Sequence, residues 1–270
     1  MSQHASVKNI TNVELINMKE RQEKIVSLTA YDASFAHILD EAGVEMVLVG
    51  DSLGMVVQGQ NSTVPVTIDE MAYHSKIVSR GLKRSLLVTD MPFMSYPNAD
   101  IAVENAAILM QEGHAQMVKL EGGEKVVESV HHIVNQGIPV CGHLGLLPQS
   151  VNQLGGYRVQ GKEQAQADIM LNDATSLEQA GASAIVIECV PAALAKTITA
   201  SVNIPIIGIG AGVDCDGQVL VSYDMLDITF GKRPKFSKDF MAETGNVSEA
   251  VKAYVSAVKN KQFPAEEHSF

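Results

Sequence analysis

Three hydrophobic runs in this chain each end on a carboxylate, and this repeated pattern constrains the fold more than any other feature. The runs end at Asp51, Asp90 and Glu121. A short, continuous apolar run predicts a strand that is buried on both faces, which is typical of a parallel sheet covered by helices. Because the carboxyl ends of parallel strands emerge on one rim, where ligands bind in α/β folds, we expect the three acids to lie together.

Eight runs are assigned as strands, and helix-like stretches separate most of them. The predicted strands cover residues 25–31, 45–51, 85–90, 116–121, 138–143, 184–189, 204–210 and, on a weaker pattern, 218–222. The predicted helices cover residues 34–42, 67–80, 99–112, 125–135, 164–180 and 192–202. This alternation predicts an α/β fold of the closed (β/α)8 TIM barrel type rather than an open, doubly wound sheet. We expect one barrel domain, 1–270, with a C-terminal helical extension near residues 246–261.

Composition narrows the classes of function. The chain has 270 residues, of which 46% are hydrophobic, and its formal net charge is −11. Nucleic acids and anionic membranes select for clustered Lys and Arg, so small-molecule chemistry is favoured. Cys141, Cys189 and Cys215 do not have the spacing of a disulfide framework or a zinc site. Residues 1–24 lack the apolar core of a signal peptide, and no run reaches the ~20 apolar residues of a membrane span, so we expect a cytoplasmic protein.

The three strand-end acids form a candidate metal site. Without a cation, Asp51, Asp90 and Glu121 would repel one another and raise each other's pKa. A hard divalent ion removes this repulsion, and oxygen ligands favour magnesium, which keeps several waters and leaves positions for substrate oxygens. For any single acid, capping of a helix or pairing with Lys or Arg is the alternative.

Three further strand residues are candidates for the chemistry. Lys119 lies two residues before Glu121 and therefore points to the same side of the strand, where it could bind a substrate oxygen, form a Schiff base or neutralise the acids. Glu188 is a lone acid in one of the most apolar stretches, and desolvation makes a carboxylate more basic, so it is the best candidate for a general base. A buried glutamate satisfied by Lys119 or the backbone is the alternative. His143 ends its own strand and is a candidate for acid–base chemistry or for hydrogen bonding to substrate.

Two long connections follow strands on the same rim. Residues 52–65 and 144–162 are rich in glycine, and the second connection contains Tyr157 and Arg158. Such loops are candidates for lids that exclude water from a reactive intermediate, and these two side chains could close over an anionic substrate. An ordinary surface loop is the alternative.

An ordered set of motifs covers nearly all of the chain after residue 22. They are TAYD at 29–32, VGDSLGM at 49–55, DMPF at 90–93, VKLEGG at 118–123, CGHLG at 141–145, GGY at 155–157, ECVP at 188–191, GIGAG at 208–212 and EEHSF at 266–270. In these motifs the chain closely resembles the ketopantoate hydroxymethyltransferase family. It departs from the pattern at Leu147, where some relatives have threonine, and at Tyr223, where histidine is common. Neither is an expected ligand position.

The resemblance implies a barrel of the phosphoenolpyruvate/pyruvate-binding superfamily, usually assembled as a homodecamer. It implies transfer of a one-carbon unit from 5,10-methylenetetrahydrofolate to 3-methyl-2-oxobutanoate, giving 2-dehydropantoate in pantothenate biosynthesis. The site residues that it implies, with His143 added as a substrate-binding candidate, fall into three sets. Metal ligands, directly or through water, are Asp51, Asp90 and Glu121 for Mg²⁺; oxo-acid contacts are Asp51, Ser52, Asp90 and Lys119; and the proton acceptor is Glu188.

Two alternatives come from other classes. One is a magnesium-dependent lyase or mutase of the same superfamily that acts on another oxo acid. Those relatives commonly place a reactive cysteine in a lid, and neither 52–65 nor 144–162 contains one. The other is a barrel without catalysis that serves as a scaffold or ligand sensor, against which the intact set of acids argues.

Overall fold

Eight parallel strands form a closed barrel and pair in the order of the sequence. The structure, a computed structural model, describes residues 9–270. The strands are β1 Ile25–Thr29, β2 Met46–Val49, β3 Leu86–Asp90, β4 Met117–Glu121, β5 Val140–Gly145, β6 Ala184–Glu188, β7 Ile206–Ile209 and β8 Gly217–Leu220. The predicted (β/α)8 barrel is therefore confirmed, and residues 1–8 of the expected single domain lie outside the described residues.

Helices surround the barrel, and each predicted helix has a counterpart. They are α1 Asn12–Glu20, α2 Ala33–Ala42, α3 Leu53–Val56, α4 Ile68–Ser79, α5 Ala99–Gln111, α6 Val127–Asn135, α7 Val151–Leu154, α8 Gln164–Gln179, α9 Ala192–Ser201, α10 Ser222–Met225, α11 Met241–Thr244 and α12 Val247–Lys259. Side chains cap several helix N-termini, as where the carboxylate of Asp32 accepts from the Phe35 N–H at 2.9 Å before α2. Within residues 9–270 no helix combines the length and apolarity needed to span a membrane.

The weakest of the predicted strands is also the one that closes the barrel. β8 has four residues, and it pairs with β1 from Ile25 opposite Gly217 to Leu28 opposite Leu220. The predicted C-terminal helix corresponds to α12, which covers this seam. Its Tyr254 is fully buried, and the hydroxyl lies 3.1 Å from both the Ser27 and the Gln218 carbonyl oxygens, one on each side of the seam.

Charged side chains hold the amino ends of the strands together. Lys19 of α1 donates to the Thr199 and Ile204 carbonyls, both at 2.9 Å, and pairs with Asp216. α1 itself was not predicted, because it lies in the polar stretch before β1. Its N-cap, Thr11, accepts from the Glu14 N–H at 3.2 Å, so a local signal for this helix was present.

The two long connections predicted after β2 and β5 contain short helices. α3 lies in the first and α7 in the second. The loops meet where the Tyr157 hydroxyl lies 3.6 Å from Sδ of Met55. Both connections therefore lie above the carboxyl ends of the strands, next to the strand-end acids.

Candidate active site

A cavity of about 480 Å³ opens at the carboxyl ends of the strands. Every candidate residue from the sequence lines this cavity: Asp51, Ser52, Asp90, Lys119, Glu121, His143 and Glu188. The prediction that acids from separate strands converge on one rim is confirmed. Most of these side chains are buried, with Asp51 only 3% and Glu121 only 6% exposed.

The turn after β2 brings the first two acids together. The backbone N–H of Asp51 donates to Oδ2 of Asp90 at 3.1 Å. A Cβ on Gly50 would lie 2.7 Å from Oγ of Ser52 and 3.5 Å from the same Asp90 oxygen. The glycine therefore leaves room for the Ser52 hydroxyl beside this turn. Ser52 is held in turn by the Tyr31 hydroxyl, 2.9 Å from its Oγ.

β4 contributes a cation and an acid from the same face. Nζ of Lys119 forms a 2.8 Å ion pair with Oδ1 of Asp90, and both side chains are buried. Glu121, two residues further along, lines the same cavity, as the two-residue period of a strand predicts. The contact with Asp90 confirms that Lys119 neutralises an acid. Lys119 nevertheless faces the charges of three carboxylates, those of Asp51, Asp90 and Glu121.

His143 connects the lysine to the candidate base. Nδ1 of His143 lies 3.3 Å from Nζ of Lys119 and 3.4 Å from Oε1 of Glu121. Nε2 lies 3.2 Å from Oε2 of Glu188. Lysine can only donate, so a hydrogen bond from Nζ to Nδ1 would place the ring proton on Nε2, which faces Glu188. Burial and the charge of Lys119 lower the pKa of His143, which keeps the ring neutral.

The positive charge of Lys119 does not balance the negative charge that Asp51, Asp90 and Glu121 would carry when all three are ionised. Burial, reinforced by the charges of Asp90 and Glu121, raises the pKa of Asp51 well above its usual value. Burial also raises the pKa of Glu121 to about 7, although Lys119 opposes this shift. The same carboxylates raise the pKa of Lys119 against the effect of its own burial, so the lysine remains charged. A divalent cation would relieve this excess of negative charge.

The carboxylate oxygens of Asp51, Asp90 and Glu121 are donors of the kind that fits magnesium. Among residues 9–270, no three His, Cys, Asp or Glu side chains stand close enough together to form a complete metal-binding group. Magnesium does not require one, because it is commonly held by one or two direct carboxylates and retains several waters. Three buried carboxylates with hard oxygens and raised pKa values at two of them match such an ion.

Sequence reasoning missed two residues that contact the acids. Gln149, just before α7, donates from Nε2 to Oδ2 of Asp51 at 2.8 Å and from its backbone N–H to Oε2 of Glu121 at 3.0 Å. The Tyr96 hydroxyl donates to Oε1 of Gln149 and accepts from the Glu121 N–H at 3.3 Å. Neither residue ends a strand, and the PQS and SYP contexts are ordinary turn sequences.

The mouth of the cavity differs in charge from its base. Lys232 and Lys235, from the segment after α10, line it together with Arg158 of the second loop. Lys235 also lies over the ring of Phe270, with Nζ 4.7 Å from the ring centroid, and this ring forms part of the wall. The resulting cavity is acidic at its base and basic at its mouth.

The eight parallel strands, with acids at their carboxyl ends, form a TIM barrel of the kind seen in solved mutases and lyases. Phosphoenolpyruvate phosphomutase from Streptomyces platensis superposes with a TM-score of 0.61 over 93% of this chain and 95% of that one. The two sequences are 12% identical, so this likeness shows the fold alone.

The sequence comparisons define the family. The family described as ketopantoate hydroxymethyltransferase matches residues 9–266, and the chain belongs to it. Two relatives named 3-methyl-2-oxobutanoate hydroxymethyltransferase, from Nitrosococcus oceani and Thiobacillus denitrificans, are 56% and 57% identical. In both cases the match covers 97% of this chain and 99% of the relative. The family expected from the motifs is confirmed, and a transferase is favoured over a lyase or mutase.

Proposed function

We propose that the chain transfers a hydroxymethyl group from 5,10-methylenetetrahydrofolate to 3-methyl-2-oxobutanoate, giving 2-dehydropantoate in pantothenate biosynthesis. The observation that carries this proposal is the convergence of Asp51, Asp90, Glu121, Lys119 and Glu188 on one cavity in a chain of this family. Such a cavity can bind an oxo acid, remove a proton next to its keto group and stabilise the charge that develops.

Asp51, Asp90 and Glu121 would hold a magnesium ion, directly or through water. Their burial and the raised pKa values of Asp51 and Glu121 support this role. When bound, the ion would polarise the carboxylate and keto oxygens of the oxo acid and make its C3 proton acidic. Asp51, Ser52, Asp90, Lys119 and His143 would surround the bound oxo acid.

Glu188 would accept the C3 proton. Its side chain is 14% exposed and faces the cavity, and Nε2 of His143 lies 3.2 Å from its Oε2. His143, kept neutral by its burial and by the charge of Lys119, would lie beside the carboxylate without neutralising it. Lys119, which remains charged, would stabilise the negative charge that develops on the keto oxygen. Overall, a bond from C3 to the methylene carbon would replace the C3–H bond, and one water would supply the hydroxyl oxygen. Both C–N bonds of the methylene bridge would break, and tetrahydrofolate would leave with the C3 proton and one water proton on its two nitrogens.

The charge distribution along the cavity supports a folate co-substrate. The net charge of the chain is −11, yet Arg158, Lys232 and Lys235 collect at the cavity mouth. A long co-substrate with its reactive carbon at the base would present its anionic glutamate tail to these cations. The contact between Tyr157 and Met55 would close the two loops over the reacting atoms and exclude water.

We also propose a cytoplasmic homo-oligomer, a decamer. Phe93 and Met94 are adjacent apolar residues with 43% and 63% exposure, which is typical of a surface that packs against another chain. Native mass spectrometry of the purified protein would give the number of subunits.

The direct test of the chemistry is NMR of 3-methyl-2-oxobutanoate in D2O with the protein and Mg²⁺ but without folate. We expect loss of the C3 proton signal, which EDTA abolishes and renewed Mg²⁺ restores. Absence of exchange, even after addition of tetrahydrofolate, would contradict proton abstraction from this substrate.

A further inference from the structure

Gln149 is buried, and both its side-chain amide and its backbone N–H form hydrogen bonds. Its side-chain Nε2 donates to Oδ2 of Asp51 at 2.8 Å and to the Met91 carbonyl at 2.9 Å. Its Oε1 accepts from the hydroxyl of Tyr96, and its backbone N–H donates to Glu121 at 3.0 Å. One residue of the second loop thus contacts two of the three carboxylates at the base of the cavity.

These partners fix the orientation of the amide. The two groups that face Nε2, a carboxylate oxygen and a carbonyl oxygen, can only accept hydrogen bonds. Rotating the amide by half a turn would place Oε1 against both of them. The side chain of Gln149 is therefore held in one orientation and in turn holds the Asp51 carboxylate in place.

The Gln149 amide is an uncharged donor, and this preserves the negative charge of Asp51. Asp90 already has a cation, because Nζ of Lys119 lies 2.8 Å from its Oδ1. A second cation at position 149 would neutralise Asp51 and compete with any ion attracted to the acids. An amide orients Asp51 without cancelling its charge, so the attraction for a divalent ion is retained.

We propose that Gln149 is a positioning residue that sets the affinity of the acid cluster for its divalent ion, with Tyr96 fixing the Gln149 amide. The inference rests on the metal site in the proposed function and adds residues of two loops to it. Tyr96 follows β3 and Gln149 follows β5, so their contact joins both loops to acids at the ends of β2 and β4. Ordering of the second loop and metal binding would therefore stabilise each other.

The test is isothermal titration of Mg²⁺ into the folded protein and its Gln149→Met variant. Methionine has a similar volume and no donor, and the backbone N–H to Glu121 is retained. Loss of outer contacts to metal ligands typically weakens metal affinity by about 10- to 100-fold, which is the range we expect. Gln153→Met is the matched control, because Gln153 lies in α7 of the same loop and is exposed. It should bind Mg²⁺ like the wild type.

Thermal unfolding separates positioning from a general structural role. Without Mg²⁺, Gln149→Met should melt below the wild type, because the Tyr96 hydroxyl and the Met91 carbonyl lose their partner. The further rise in melting temperature that a fixed, subsaturating Mg²⁺ concentration produces should be smaller in the variant than in the wild type. Saturating Mg²⁺ should restore most of the C3 proton exchange. Tyr96→Phe, which removes the hydroxyl that fixes the amide, should weaken Mg²⁺ binding less and add little to Gln149→Met.

The role of Gln149 can be distinguished from the metal site itself by three outcomes. Wild-type affinity in Gln149→Met, or an equal loss in Gln153→Met, would overturn the role of Gln149 while leaving the metal site intact. A wild type that binds no divalent ion would overturn the metal part of the proposed function as well. Should Gln149→Met fail to fold, the result for Tyr96→Phe decides, and unchanged Mg²⁺ affinity there would overturn the proposal.

Discussion

Two buried aspartates at opposite ends of the barrel have opposite electrostatic environments. Asp40, next to the amino end of β3, accepts from the N–H groups of Lys83, Arg84 and Ser85 and from the Ser85 hydroxyl. Although burial alone would raise its pKa, these donors hold the pKa of Asp40 below its usual value. At the carboxyl end, burial and neighbouring acids raise the pKa of Asp51.

Two glutamates at opposite ends of the barrel differ in a similar way, although Glu45 is buried and Glu188 is 14% exposed. Glu45, before β2, accepts from the Val26 N–H at 2.9 Å and pairs with Lys259 at 2.8 Å. Glu188, at the end of β6, faces the cavity with a neutral histidine beside it. The amino end thus satisfies its buried charges within the protein, whereas the carboxyl end leaves charge available for an ion and a substrate. Substitutions should therefore affect stability at one end and chemistry at the other.

The largest expected effect separates the two glutamates. Glu188→Gln should lower the rate of C3 proton exchange by about 10²- to 10⁴-fold, because an amide cannot accept the proton, with little change in the affinity for 3-methyl-2-oxobutanoate. Glu45→Gln should cost about 1–2 kcal/mol of the free energy of unfolding and leave exchange intact. Denaturant unfolding and NMR exchange of both variants check this. Near-normal turnover in Glu188→Gln would remove it as the base.

A second pair of variants compares the two aspartates by their effect on Mg²⁺ binding. Asp51→Asn should abolish most of the stabilisation by Mg²⁺ without lowering the stability of the metal-free protein, because a repelling charge is removed. Asp40→Asn should lower the free energy of unfolding by about 2–3 kcal/mol and retain Mg²⁺ binding. Melting curves of each variant with and without Mg²⁺ test the pair. Equal destabilisation of both variants would contradict the contrast between the two ends.

The pKa of Glu121 predicts how pH acts on the carboxyl end. A shift from 4.5 to about 7 means that the folded state binds more protons than the unfolded state in this range. The contribution of Glu121 to metal-free stability should therefore fall by about 3 kcal/mol as the pH rises from 4.5 to 7. Asp40, whose pKa is lowered, contributes in the opposite direction and loses its stabilising effect as the pH falls.

Metal binding should reverse the effect at Glu121. Magnesium requires ionised carboxylates, and the pKa values of both Glu121 and Asp51 are raised, so its affinity should rise with pH by about tenfold per pH unit for each proton released. Calorimetric titrations of Mg²⁺ between pH 5.5 and 8 in two buffers of different ionisation enthalpy would count the protons. A pH-independent affinity would contradict the assignment of Glu121 as a ligand.

Most of the fold and the centre of the site were predictable from local patterns. Continuous apolar runs are sufficient to identify strands buried on both faces, and the two-residue period places Lys119 and Glu121 on one side. Gln149 was not predictable in this way, because it approaches Asp51 across 98 positions of sequence through the packing of two loops. β8 was predicted only weakly because four residues carry little pattern, and its pairing with β1 depends on barrel closure.

The smallest expected effect concerns the basic mouth of the cavity, which differs from both the amino end of the barrel and the acidic base of the cavity. Arg158→Glu and Lys232→Glu should each raise the KM for 5,10-methylenetetrahydrofolate by about 3- to 10-fold, since exposed charge contacts are each worth about 1 kcal/mol. The rate at saturation and the affinity for Mg²⁺ should not change, because neither side chain contacts the acids at the base. Lys76→Glu, at an exposed position of α4 that does not line the cavity, is the matched control.

The increase in KM should grow with the number of glutamates on the folate and shrink at high salt. An increase that is the same for all tail lengths would place the tail elsewhere, and the basic mouth would then have to act on the oxo acid during its entry.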